Sequence, residues 1–112
     1  MKPDLSVEVW GKKFKNRIIV ASATPTKDAN YMKKCVNAGA GGLISKTVTY
    51  EKALHRYVSP RFTVLHKKGW QHVFSNYSAE FLATYSPEEY MPEIEETKKY
   101  CEKHNSVFIG SI

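Results

Sequence analysis

The sequence is short of cysteine and has no long apolar run, and each shortage narrows what it can be. Cysteine occurs only twice, at Cys35 and Cys101. Neither sits in a CxxC or Cys/His spacing, which argues against a disulfide-stapled scaffold and a structural metal site. Both are expected as reduced, partly buried thiols. No stretch approaches the ~20 apolar residues that a membrane-crossing helix needs. The opening MKPDLSVEVW carries charges and a proline where a secretory leader has its apolar core. The expectation is a cytoplasmic protein with no membrane partner. Also missing are GxGxxG, GxxxxGK[ST], HExxH and any Ser-His-Asp pattern, so the common motif-borne dinucleotide, nucleotide and hydrolytic chemistries have no foothold.

Acidic residues are outnumbered, 11 against 17 lysines and arginines, for a formal charge of +6 and a pI near 9.3. Much of the excess lies in GKKFKNR and LHKKGW. A basic balance permits an anionic ligand or nucleic acid. No zinc finger, RNA-binding aromatic signature or basic recognition helix accompanies it, so solvated lysines are expected and no nucleic-acid partner. The four histidines are scattered and read as surface residues. The acidic run EEYMPEIEE reads as a solvated helix face.

What is present is an alternation of strands and helices in 112 residues, 42% of them hydrophobic. LSVEVWGKKFKN has the alternation of a β-hairpin, with the turn at Gly11-Lys12 and Phe14 on the return strand. RIIVAS follows as a strand over Ile18 to Ala21, and its unbroken apolar character predicts burial on both faces, as in a parallel sheet. Thr26 or Asp28 is placed to cap a helix whose Met32, Cys35 and Val36 share one face. Gly39 is placed to end it with a positive φ. GGLIS then begins a second strand, completing a β-α-β unit with parallel strands.

From Val48 to Gly69 the pattern is irregular, and so long an excursion points to function or to local structure. WQHVFSN reads as a further short strand. SPEEYMPEIEETKKYCEKHN is the clearest helix, with Ser86 as cap, Pro87 in the first turn and Glu89 completing a capping box. Pro92 lies early enough to be tolerated within or near the first turn, a shifted helix start being the alternative. SVFIGSI closes the order as a strand over Val107 to Ile112. No helix follows to cover it, so the chain reads as part of a larger domain or as one completed by a partner.

Ligands of parallel α/β folds meet the carboxyl ends of the strands. That rule selects Ala21, Ser22, Ala23 and Thr24; then Ser45, Lys46 and Thr47; then Gly110 and Ser111. Asn76 is expected in a loop above the same face. Small residues let a flat ligand approach the backbone, Lys46 supplies a fixed positive charge, and Asn76 offers a donor and an acceptor for an amide-imide edge. Plain strand capping is the alternative reading for Ser22 and Thr47.

In combination, LSVEVWGKKFKNRIIVASATPT, AGAGGLISKTVT, SPRF and FSNYSAEFL resemble the N-terminal part of the dihydroorotate dehydrogenase family, including the FMN-binding part of dihydropyrimidine dehydrogenases. The resemblance implies an α/β fold: the N-terminal part of a (β/α)₈ TIM barrel, preceded by a β-hairpin, with residues 1–112 supplying the hairpin and about the first three β/α units. It implies FMN contacts from Ala21, Ser22, Lys46 and Thr47, and contacts to a pyrimidine-like substrate from Lys46 and Asn76. The activity implied is oxidation or reduction of a C–C bond, with no catalytic acid or base among these residues. The intact protein is expected as a homo-oligomer or with a partner subunit. One departure stands out: from Asn76 the chain reads NYSAEFLATY, without the glycine and proline of the family's loop, which points away from dihydroorotate itself. The alternative is a half-barrel assembly or interaction subunit with no activity of its own.

Overall fold

The computed structural model describes residues 3–55, 59–67, 74–79 and 81–112. It is a mixed α/β structure with small sheets. Strands β1 (Val7–Val9) and β2 (Lys12–Phe14) form the expected antiparallel hairpin. Its turn sits one residue earlier than the sequence suggests. Val9 pairs with Lys12, and Trp10 and Gly11 both take positive φ, at 51° and 71°. That is the backbone a two-residue hairpin turn demands, and only Gly11 adopts it without cost.

β3 (Ile19–Val20), β4 (Gly42–Ile44) and β7 (Val107–Ile109) form a three-stranded parallel sheet in the order β3-β4-β7. Two crossovers make this parallel pairing possible. The first contains α1 (Ala29–Asn37) and the second α2 (Pro87–Lys103). Asp28, rather than Thr26, caps α1, its carboxylate accepting from the Tyr31 amide at 2.9 Å. Gly39 follows the helix with φ 99°, as its position predicts. α2 starts at the expected cap: Ser86 Oγ accepts from the Glu89 amide, and the Glu89 carboxylate accepts from the Ser86 amide. Pro92 lies inside α2 without displacing its start.

The two helices pack on one face of the sheet. Met32, Val36, Leu43, Ala83, Tyr90 and Cys101 form the buried core, with Val20 and Phe108 packed against it. Strand alternation puts Gly42 on the opposite face from Leu43. There a β-carbon on Gly42 would sit 2.8 Å from the Phe14 ring. The hairpin therefore covers that face where glycine leaves room for Phe14, which is buried. The strand expected over Ile18 to Ala21 is shorter, Ile19–Val20, and is not buried on both faces: Ile18 and Ile19 remain 65% and 42% exposed.

The excursion after β4 is locally structured. It holds a short 3-10 turn at Lys52–His55 and an antiparallel pair, β5 (Phe62–Lys67) with β6 (Phe74–Ser78). The first half of the strand expected in WQHVFSN lies outside the described residues. No described helix is long and apolar enough to cross a membrane, and no described cluster of His, Cys, Asp or Glu could hold a metal.

Candidate functional site

The carboxyl ends of the three parallel strands meet on one rim, because parallel pairing continues past the strands themselves. The Ser45 amide donates to the Ile109 carbonyl at 2.9 Å, and the Val48 amide to the Ser111 carbonyl at 3.2 Å. Three of the expected positions come into direct contact there. Thr47 Oγ1 lies 3.2 Å from Ser22 Oγ and 2.8 Å from Ser111 Oγ. Ser22 Oγ also accepts from the Thr47 amide at 3.1 Å. Beneath them the fully buried Ser45 accepts from the Ser111 amide at 3.0 Å. The hydroxyls thus form a chain across β3, β4 and β7. They tie the strand ends together and present a small-residue surface beside Ala21 and Gly110. A β-carbon on Gly110 would meet no atom within 4 Å, so the rim is open at that point.

Lys46 lies in the middle of this rim and is only 5% exposed. Its amide donates to the Thr26 carbonyl at 3.0 Å. Lysine is rarely buried to this degree without a purpose, since desolvating the ammonium is costly. Thr26, which the sequence marks only as a possible helix cap, has a different role. It is fully buried in the 3-10 turn Thr24–Thr26. Its hydroxyl reaches the Ala21 and Ala23 carbonyls at 3.3 and 3.1 Å and accepts from the Ala23 amide at 3.1 Å. Its carbonyl accepts from Tyr90 Oη at 2.9 Å as well as from Lys46. One threonine therefore ties the loop after β3, the end of β4 and helix α2 together. Burial pushes the Tyr90 phenol up to about 12, which keeps it a neutral donor at any ordinary pH.

A second part of the site comes from the segment before α2. The Ala83 amide donates to the Thr47 carbonyl at 2.7 Å, folding residues 81–85 over the end of β4. Tyr85 stacks on Tyr90 with centroids 6.0 Å apart. The Ala79 amide donates to the Arg61 carbonyl at 2.8 Å, which extends the β5-β6 pairing and brings Arg61 to Phe81. The guanidinium lies 4.2 Å from the Phe81 ring centroid. Between this segment and the rim lies a cavity of about 260 Å³, with Lys46 in its wall. Asn76 stands elsewhere than expected. It is inside β6, opposite Val64 and exposed, rather than in a loop. SPRF and the residues after FSN carried a signal of their own, an arginine and a phenylalanine that pairing across β5 and β6 could bring together.

Cys35 and Cys101 take no part in the rim. Cys101 is fully buried in the core, and burial raises its thiol to about 11. Cys35 is half-buried and donates to the Pro25 carbonyl at 3.5 Å. The acidic face of α2 is less idle than its composition suggests. Glu93 accepts from the Ala29 amide at 2.7 Å, supplying the negative charge that the first turn of α1 lacks.

No family model matches the chain. It is similar to the dihydropyrimidine dehydrogenase (NADP(+)) of Arabidopsis thaliana chloroplasts, with 29% identity over 121 residues. The match takes in 99% of this chain and 26% of that enzyme, so the chain spans about a quarter of the relative's length.

Proposed function

We propose that these residues are the N-terminal part of an FMN-binding (β/α)₈ barrel, in a flavin-dependent oxidoreductase that acts on a C–C bond of a pyrimidine-like compound. The observation that carries this reading is the rim itself: three parallel strand ends, small residues with linked hydroxyls, and a buried lysine among them. The similarity to a dihydropyrimidine dehydrogenase supports it along nearly the whole chain. The parallel order β3-β4-β7, with a helix in each connection, is compatible with successive units of such a barrel.

The residues fit a flat ring. Ala21 and Gly110 put no bulk at the rim, and backbone groups are within reach of ring heteroatoms. Ala21, Ser22 and Thr47 would hold the flavin, and Lys46 would lie against both flavin and substrate. The flavin supplies the redox step when bound. The chain's own contributions are orientation by the hydroxyl chain and a fixed positive charge from Lys46, which favours negative charge developing on a ring. Asn76 would contact the substrate only if β6 brings it to the rim.

The test is the cofactor content of the full reading frame that carries these residues. Stoichiometric, non-covalent FMN is expected, and Lys46→Met should weaken both flavin retention and turnover. A full-length product that neither copurifies with flavin nor takes it up would sink the proposal. The 112-residue chain alone should bind FMN weakly, since it offers only the ring side of a site.

A second reading is favoured by the exposure of Ile18 and Ile19, at 65% and 42%. Such apolar surface suits a half-barrel subunit completed by a partner chain. Sedimentation of the chain at several concentrations separates the two: a stable monomer argues against assembly.

A further inference from the structure

The cavity beside the rim has an electrostatic character that the flavin reading does not explain. Lys27, Lys46 and Arg61 line it, and no aspartate or glutamate does among the described residues. Its remaining walls include the Phe81 and Tyr85 rings. Arg61 is held with its guanidinium against Phe81 at 4.2 Å, and Lys27 with its ammonium over Tyr31 at 4.3 Å. Neither of these cations has a carboxylate within ion-pair reach among the described residues. A guanidinium held over an aromatic ring retains N–H donors for a carboxylate or phosphate, and the ring contact reduces the freedom lost on binding. Cations of one sign around a concave, partly apolar wall concentrate positive potential in the cleft. The net charge of +6 on the chain adds to it.

We propose that this cleft is an oxyanion-binding subsite in which Arg61 and Lys27 recognise the ligand, a carboxylate- or phosphate-type group on a small molecule. This does not depend on flavin binding at the rim. It concerns Lys27 and Arg61, which take no part in the hydroxyl chain, and it can hold in a protein that never binds a flavin.

The experiment is an amide-shift NMR titration, at fixed ionic strength, of the protein translated from the full reading frame that carries these residues, with inorganic phosphate, benzoate and the neutral analogue benzamide as probes. Saturable shifts at Lys27, Arg61 and residues 81–85 are expected with at least one anion, and none with benzamide. Benzoate alone would identify a planar carboxylate as the ligand group, and phosphate alone a tetrahedral oxyanion. Arg61 and Lys27 are exposed, so Arg61→Gln and Lys27→Gln should leave the spectrum folded. Each should weaken binding by a factor between about 1.4 and 5, the range for exposed ion pairs. Arg61→Lys should fall between Arg61→Gln and the unsubstituted chain. The proposal is overturned if neither anion binds, if benzamide binds as well as benzoate, or if both glutamine variants bind unchanged.

Discussion

Thr47 and Ser111, 64 residues apart in the chain, meet hydroxyl to hydroxyl at 2.8 Å. The contact fixes where two parallel strands end relative to each other. Thr47→Val keeps the shape and removes the shared hydroxyl from both Ser22 and Ser111. It should cost about 1–2 kcal/mol, the usual range for hydrogen bonds lost in a partly buried network. Urea unfolding of the variant checks it, and an unchanged midpoint would mean that the hydroxyl chain adds nothing to stability.

Tyr90 is fully buried and donates to the Thr26 carbonyl. Its phenol is raised to about 12, first by desolvation. A raised acid favours the folded state while neutral. Its contribution is therefore complete below the unfolded phenol's pKa, about 10, and is lost as pH rises toward about 12. Stability should fall over that alkaline window. Tyr90→Phe should reduce the fall and cost about 1–2 kcal/mol at neutral pH. Denaturation curves at neutral and alkaline pH measure both effects.

Gly41 should tolerate no side chain. A β-carbon there would lie 2.2 Å from the Asn16 carbonyl oxygen, which is backbone and cannot swing away. Asn16 is itself fixed, accepting from the Ile18 amide at 3.0 Å and donating to the Gly39 carbonyl at 2.8 Å. Gly41→Ala should cost at least the ~1–3 kcal/mol of an overpacked site. Thermal melting should show it as a clear loss, whereas Gly110→Ala, with nothing nearby, should be close to neutral for folding.

The thiols should separate by reactivity. Cys35 is half-buried, whereas Cys101 is fully buried with its thiol raised to about 11. Thiolate is the reacting form. A disulfide reagent at neutral pH should therefore modify Cys35 first, and Cys101 only on unfolding. Mass spectrometry of the partly labelled chain identifies which thiol reacted. Early labelling of Cys101 would contradict its burial.

Much of the frame was legible in local patterns. The hairpin, the β-α-β order and the cap of α2 follow from interactions spanning a few residues, such as Ser86 with Glu89. Lys46 was legible as a strand-mouth lysine because it directly follows an apolar strand. The excursion after Val48 was legible only in part: local structure and a short strand in WQHVFSN were expected, but the antiparallel pairing of β5 with β6 was not, since neither strand has a strong pattern alone. Asn76 was misplaced for that reason: it is a strand residue whose position depends on its partner Val64.

What the sequence determined by itself is the menu of elements and their ends, because helix caps, turn glycines and apolar periodicity act over one or two turns of chain. The tertiary structure alone decided which ends meet. The Ser22–Thr47–Ser111 hydroxyl chain, the bonds to the Thr26 carbonyl and the Glu93 cap on Ala29 join residues 20 to 64 positions apart. Arg61 reaches Phe81 only across a strand pair. No local preference encodes such contacts. They exist because parallel strands crossed by helices bring their carboxyl ends to one side, and there buried polar groups must find partners in one another.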